Sequence, residues 1–265
     1  MKKYSLHIGL NETSLISNSS LNSPEANSRF YKKIAEENDF EAIELLGENA
    51  TSIKLLNTLR AISQKITPDD IFFVTYCGHG FTINDISGEE NVGYDQIAVL
   101  YDRYFIDDEL KNCWSWFPEN SKVVLVTDCC YGGTLNKKSV TTTYSISKSF
   151  SLYLKDVSPY LNSFQLHFKE FKEANISMNH ISSSQDRNVA KDSLVKDQLS
   201  PFTEAFEKVY NEGSFIGTFS DFFEEVKSEV EKTLPYNPPF IDRDIQNFLY
   251  EEFFLTKNLI LSHNE

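Results

Sequence analysis

An α/β fold with a mostly parallel sheet covered by helices is what the sequence predicts, and three observations predict it. Short apolar runs alternate with helical patterns through the first half of the chain. Two of these runs, Ile71 to Tyr76 and Lys122 to Thr127, lack polar alternation, as expected of central strands buried on both faces. Proline and small polar residues punctuate the helical stretches between them.

Taken in order, the first strand is Tyr4 to Gly9. A helix follows Ser23-Pro24, with Ser as N-cap and Pro in the first turn, and runs to about Asn38. Phe40 to Leu46 is the second strand. A helix from about Thr51 carries Ile53, Leu55, Leu56, Leu59, Ile62 and Ile66 at helical spacing and stops before Pro68. The strand at 71–76 comes next, then a helix at Asp107 to Trp116, then the strand at 122–127. Residues 134–150 hold six Ser/Thr between Ser139 and Ser147 and no period, which reads as a mobile loop. Beyond it the pattern gives a helical piece at Leu152 to Phe171, a strand near Ile176 to Ser182, and helices at Pro201 to Asn211 and Phe219 to Leu234. The C-terminus is broken by Pro235, Pro238 and Pro239.

With 265 residues, 40% hydrophobic and 24% charged, the chain has the composition of a folded globular protein. One domain is expected over residues 1–265: a first part (1–135), a loop and connecting segment (136–172) and a last part (173–265). The net charge of −14, without a Lys/Arg cluster interleaved with aromatics, argues against nucleic acid as a partner. Four cysteines, at 77, 113, 129 and 130, have no disulfide-like spacing. The N-terminus lacks the apolar core of a signal peptide and no run reaches the ~20 residues of a membrane span, so a cytoplasmic protein without membrane partners is expected.

Chemistry concentrates at two strand ends. The strand at 71–76 runs into Cys77-Gly78-His79-Gly80, and the strand at 122–127 into Asp128-Cys129-Cys130-Tyr131-Gly132-Gly133. In open α/β sheets ligands bind at the carboxyl edge, and neighbouring strands lie only ~4.8 Å apart. If these two strands are neighbours, His79 faces a cysteine. A free thiol titrates near ~8.5, so a nucleophilic cysteine gains from an imidazole that takes its proton. Gly78 and Gly80 allow close approach of a peptide, and the N–H groups of Gly80 and Cys130 are candidates for an oxyanion hole.

Tyr76-Cys77-Gly78-His79-Gly80, followed 51 positions after its histidine by Cys130, resembles the caspase/metacaspase clan of cysteine peptidases. Gly88 to Gln96 resembles the acidic stretch of metacaspase-like proteins, and Ile106-Asp107-Asp108-Glu109-Leu110 their next helix start. Ile181 to Ala190 and Ser200 to Phe206 resemble the small-subunit strand and helix. The likeness implies a caspase-like three-layer α/β/α sandwich with about six strands, and a cysteine endopeptidase with His79 and Cys130 as catalytic pair. The clan motif Asp-x-Cys-x-x-Gly selects Cys130 and leaves Cys129 as packing.

The resemblance also implies substrate-binding roles for Asp128, which would favour Arg or Lys at P1, and for Cys77. A second pocket acid of metacaspases is replaced here by Asn27, with Glu25 as the nearby carboxylate. Aspartate at P1 would need convergent arginines, absent beside Cys130, whereas a neutral P1 stays open. No cofactor is required, although Asp95, Asp107 and Asp108, with Glu89 and Glu90, could bind calcium through oxygen ligands. Self-processing at Lys137, Lys138 or Lys148, a protein or peptide substrate, an activating protein and a bacterial defence setting complete the expectations. A cysteine phosphatase would need an arginine where Asn136 stands, and no Cys-x-x-Cys or His-x-x-x-His pairing supports zinc. The remaining rival is a silent, caspase-like binding module.

Overall fold

Strands buried on both faces belong in the middle of a layered fold, and three neighbouring strands of this chain are of that kind. They are β1 (Lys3–Gly9), β3 (Ile71–Cys77) and β7 (Lys122–Asp128), each almost wholly buried. In the computed structural model, which describes residues 1–16, 20–84, 94–130, 176–184, 190–234, 239–243 and 255, they lie side by side. With β2 (Glu41–Leu46), β8 (Ser177–Ser182) and β9 (Phe240–Arg243) they form a six-stranded sheet of order β2-β1-β3-β7-β8-β9. Five strands are parallel and only β9 runs antiparallel, so the mostly parallel sheet of about six strands is present.

Alternation along β3 and β7 sends side chains into two separate cores. Phe72, Val74, Val123 and Leu125 meet Leu55, Leu59 and Ile62 of α2 (Ser52–Ser63) and Trp114 of α3 (Asp107–Trp114). Phe73, Cys77, Val124 and Val126 meet Tyr31 and Ile34 of α1 (Pro24–Glu37), Phe206 of α4 (Pro201–Tyr210) and Phe222 of α5 (Phe219–Thr233). The result is the three-layer α/β/α sandwich. Aromatic edges lock the second core, with Phe206 at 4.7 Å from Phe222 and 5.1 Å from Tyr31 between ring centroids.

Several elements differ from expectation. Helix α2 ends at Ser63, before Pro68 as expected, and its hydrogen bonding runs on through a turn to Ile66, whose N–H donates to the Ile62 carbonyl at 3.0 Å. Ile66 is buried beyond the helix, while Ile53 is 60% exposed and lies off the packed face. A second, antiparallel sheet of β4 (Gly80–Asn84), β5 (Tyr94–Val99) and β6 (Tyr104–Ile106) was not expected, nor was β9. These strands are three to six residues long, too short for a distinctive period. The loop at 134–150, its lysines and the helical piece at 152–171 lie outside the described residues. No described helix is long and apolar enough to cross a membrane.

Candidate active site

Parallel pairing of β3 with β7 sets Cys77 opposite Asp128, so both chemistry-bearing segments leave the sheet at the same edge. The ladder continues one step further, with the Gly78 N–H donating to the Asp128 carbonyl at 3.3 Å. Past that point β3 turns through His79 into β4, and β7 turns through Cys129 and Cys130. Gly80 packs directly on the second turn. A Cβ there would collide with the Cys130 carbonyl oxygen and lie 3.2 Å from Cys129 Sγ, so only glycine fits without a backbone shift.

His79 is half-buried and its ring lies parallel to that of Phe81, at 6.2 Å between centroids. Its carbonyl accepts from the Val99 N–H (3.1 Å), which identifies His79 and Val99 as a hydrogen-bonded pair of the β4–β5 hairpin. The next pair, Gly80 and Ala98, is then of the other kind, and the Gly80 N–H points away from β5.

Of the four cysteines, all free, Cys77, Cys113 and Cys129 are buried and Cys130 alone is half-exposed. The Cys130 Sγ lies 3.9 Å from the Ala190 carbonyl, and burial pushes its thiol pKa up, opposed by the bond to Ala190. Without a base beside it, this thiol would be a poor nucleophile at neutral pH. Cys77 corrects an expectation: it is 0% exposed, packed in the core with Tyr31 and Val126, and cannot line a substrate cleft.

Asp128 is 7% exposed. Its Oδ2 accepts from Asn27 Nδ2 (2.8 Å), from Thr203 Oγ1 (3.0 Å) and from the Ser200 hydroxyl. Ser200 is the N-cap of α4, taking the Thr203 N–H at 3.1 Å, and its own N–H donates to Asn27 Oδ1 (3.0 Å). One carboxylate thus ties α1, β7 and α4 together. Burial pushes its pKa up, and the hydroxyl bonds pull against that shift.

Sequence reasoning placed Asn27 near the pocket but missed Ser200 and Thr203. The Ser-Pro start of α4 marks a cap but not what else the cap hydroxyl touches. Glu25 lies elsewhere on α1, its carboxylate 3.1 Å from Arg29 and adjacent to Gly47 beyond β2. Since β2 is separated from β7 by β1 and β3, Asn27 and not Glu25 accompanies Asp128.

Among the described residues no group of three or more His, Cys, Asp or Glu is placed to hold a metal ion. Asp107 opens α3 and is buried; Asp95 is on β5, and the side chains of Asp95 and Asp108 lie outside the described residues, as do Glu89 and Glu90.

A parallel sheet with helices on both faces, carrying Gly-His-Gly and a half-exposed cysteine on adjacent strand ends, defines a caspase-fold chain. Residues 19–138 match the family model "Metacaspase, peptidase C14 domain". Metacaspase-7 of Arabidopsis thaliana is 34% identical over 84 residues, 30% of this chain and 21% of that protein. Metacaspase-1 of Cryptococcus neoformans is 28% identical over 89 residues, 32% of this chain and 20% of that protein. The matched part thus spans about a fifth of the length of these curated relatives.

Among solved structures, a structural-genomics target from Geobacter sulfurreducens superimposes with a TM-score of 0.77 at 24% identity, covering 96% of this chain and 98% of that one. Caspase-1 of Spodoptera frugiperda gives 0.59 at 12% identity, covering 98% and 92%. Residues 19–138 are thus similar to the peptidase domain of metacaspases, and the chain shares the fold of the solved caspase.

Proposed function

We propose that the chain is a cysteine endopeptidase in which the Cys130 thiolate attacks a peptide carbonyl and His79 handles the proton. The observation that carries this reading is the contact of Gly80 with the Cys130 backbone, which brings the histidine turn and the cysteine turn to one edge of the sheet. His79 takes the thiol proton as the carbon–sulfur bond forms. The carbonyl oxygen becomes an oxyanion, for which the Gly80 N–H, directed away from β5, is a donor together with that of Cys130. The imidazolium then protonates the leaving amine as the C–N bond breaks, and water hydrolyses the thioester to release acid and restore the thiol.

For the substrate, we infer a basic P1 residue, read by Asp128. The three bonds described above all fall on Oδ2, and the carboxylate is held rigidly, which favours a directional bond to a guanidinium or ammonium. A second reading, a neutral P1, is favoured by the depth of Asp128 and the upward shift of its pKa. Glu25 contributes no pocket charge in either reading, because Arg29 pairs with it.

A fluorogenic panel with Arg, Lys, Leu and Asp at P1, run with and without calcium, tests both. Turnover of the Arg or Lys peptide that disappears in Cys130→Ala is expected. Turnover surviving that substitution would misassign the nucleophile, and no turnover with any peptide would favour a silent binding module.

A further inference from the structure

Near the end of β3 sits a side chain whose polar tip has no place in an apolar core. Tyr76 is the last aromatic of β3, 5% exposed, and its ring belongs to the core under α2 and α3. Its hydroxyl, however, ends at the outermost rung of the second sheet. The Val99 N–H donates to it at 2.8 Å, and it lies 2.7 Å from the His79 carbonyl and 3.0 Å from the Val99 carbonyl. A phenol has one proton, and the shorter contact gives it to His79. Gly78, just before His79, makes room for this reach: a Cβ on it would stand 2.9 Å from the hydroxyl oxygen and 3.2 Å from Cζ.

We propose that Tyr76 is a positioning residue for His79: its hydroxyl pins the histidine backbone to β5 so that the imidazole is presented to Cys130. The inference rests on the peptidase reading above. The turn needs such a pin. It carries a glycine on each side of His79, and glycine has the most backbone freedom to lose, so without a tether the ring's position would be shared among many conformers. Phe81 fixes the ring by stacking, the Val99 N–H holds the carbonyl from one side, and the Tyr76 hydroxyl holds it from below. A small displacement of a base at a reacting centre lowers rate far more than it lowers substrate affinity, which separates positioning from binding.

The test reads His79 through Cys130, the one described cysteine that is not buried. Carbamidomethylation of Cys130 by iodoacetamide is followed against pH, with the modified peptide located by mass spectrometry, in wild type, His79→Ala, Tyr76→Phe and Gly78→Ala. Each variant is first checked for a wild-type-like unfolding transition. In wild type, reactivity is expected to persist below the range of a free thiol and to vanish there in His79→Ala. If those two profiles coincide, the peptidase reading itself fails.

Given a His79-dependent profile, Tyr76→Phe should lower the rate near pH 6 at least tenfold, towards the His79→Ala curve. It should lower kcat on the best peptide of the panel with KM unchanged. A Tyr76→Phe profile and kcat equal to wild type would overturn the proposal. If Tyr76→Phe does not fold, Gly78→Ala decides, since it keeps the phenol but crowds its hydroxyl: the same shift supports the pin, and an unaltered profile overturns it.

Discussion

The interior of the central sheet and its carboxyl edge are made by the same strands, yet they treat histidine in opposite ways. His7 on β1 and His180 on β8 are fully buried, each bonded to a threonine one strand away, His7 Nδ1 to Thr75 Oγ1 (3.0 Å) and His180 Nε2 to Thr127 Oγ1 (2.8 Å). Among the described residues the other ring nitrogen of each has no hydrogen-bond partner, and desolvation drives both pKa values down to about 3. These rings are neutral struts. His79, four residues beyond Thr75 and past the end of β3, is half-exposed in a turn of glycines, of which Gly80 packs on the Cys130 backbone. Burial, and not residue type, makes these two imidazoles packing groups.

The largest effect expected from this contrast is on stability in acid. The folded pKa of His7 and of His180 lies below the unfolded value near 6.5, so their contribution is intact above pH 6.5 and is lost as pH falls towards about 3. Each histidine should remove about 1.4 kcal/mol per pH unit in that window. Asp128, whose folded pKa is raised, binds its proton more readily in the folded state and works the other way. Denaturant midpoints between pH 7 and 4.5 should fall steeply, and His180→Gln should flatten the slope by about one proton. A slope identical in that variant would mean His180 is not a buried neutral group.

Next in size is a core truncation far from the edge. Phe206→Ala removes a fully buried ring that touches Phe30, Tyr31 and Phe222, and should cost about 3–5 kcal/mol. Peptidase activity per folded molecule should stay the same, measured well below the transition. Gly80→Ala should do the reverse. Its Cβ must displace the Cys130 backbone, and activity should drop about a hundredfold or more while most core stability is kept. Smallest is Asp128→Asn, which keeps shape but removes charge. The preference for Arg over Leu at P1 should fall about tenfold, one charge-assisted bond's worth. An unchanged preference would leave the neutral-P1 reading standing.

Much of this arrangement was legible before the fold was seen, for identifiable reasons. The strands β3 and β7 announced themselves because both faces are apolar, and the carboxyl-edge rule then put His79 and Cys130 at one end. The second sheet was not legible: β4 to β6 draw on a small separate core of Ile97, Val99 and Ile106, too few residues to impose a pattern. Nor were the ties of Asp128, whose partners come 72, 75 and 101 positions away in sequence. Cys77, placed by likeness in a cleft, is in the core because strand alternation carries it to the face opposite Tyr76. Tyr76 read as one more apolar strand residue, since nothing in sequence says where a phenol oxygen ends.

The central claim, that His79 acts on Cys130 across one cleft, is tested most directly by covalent capture with an arginine-P1 acyloxymethyl ketone peptide. The account predicts a single adduct, on Cys130, formed by wild type and lost in His79→Ala. An adduct on Cys77, Cys113 or Cys129, or labelling of Cys130 that is just as fast without His79, would contradict it.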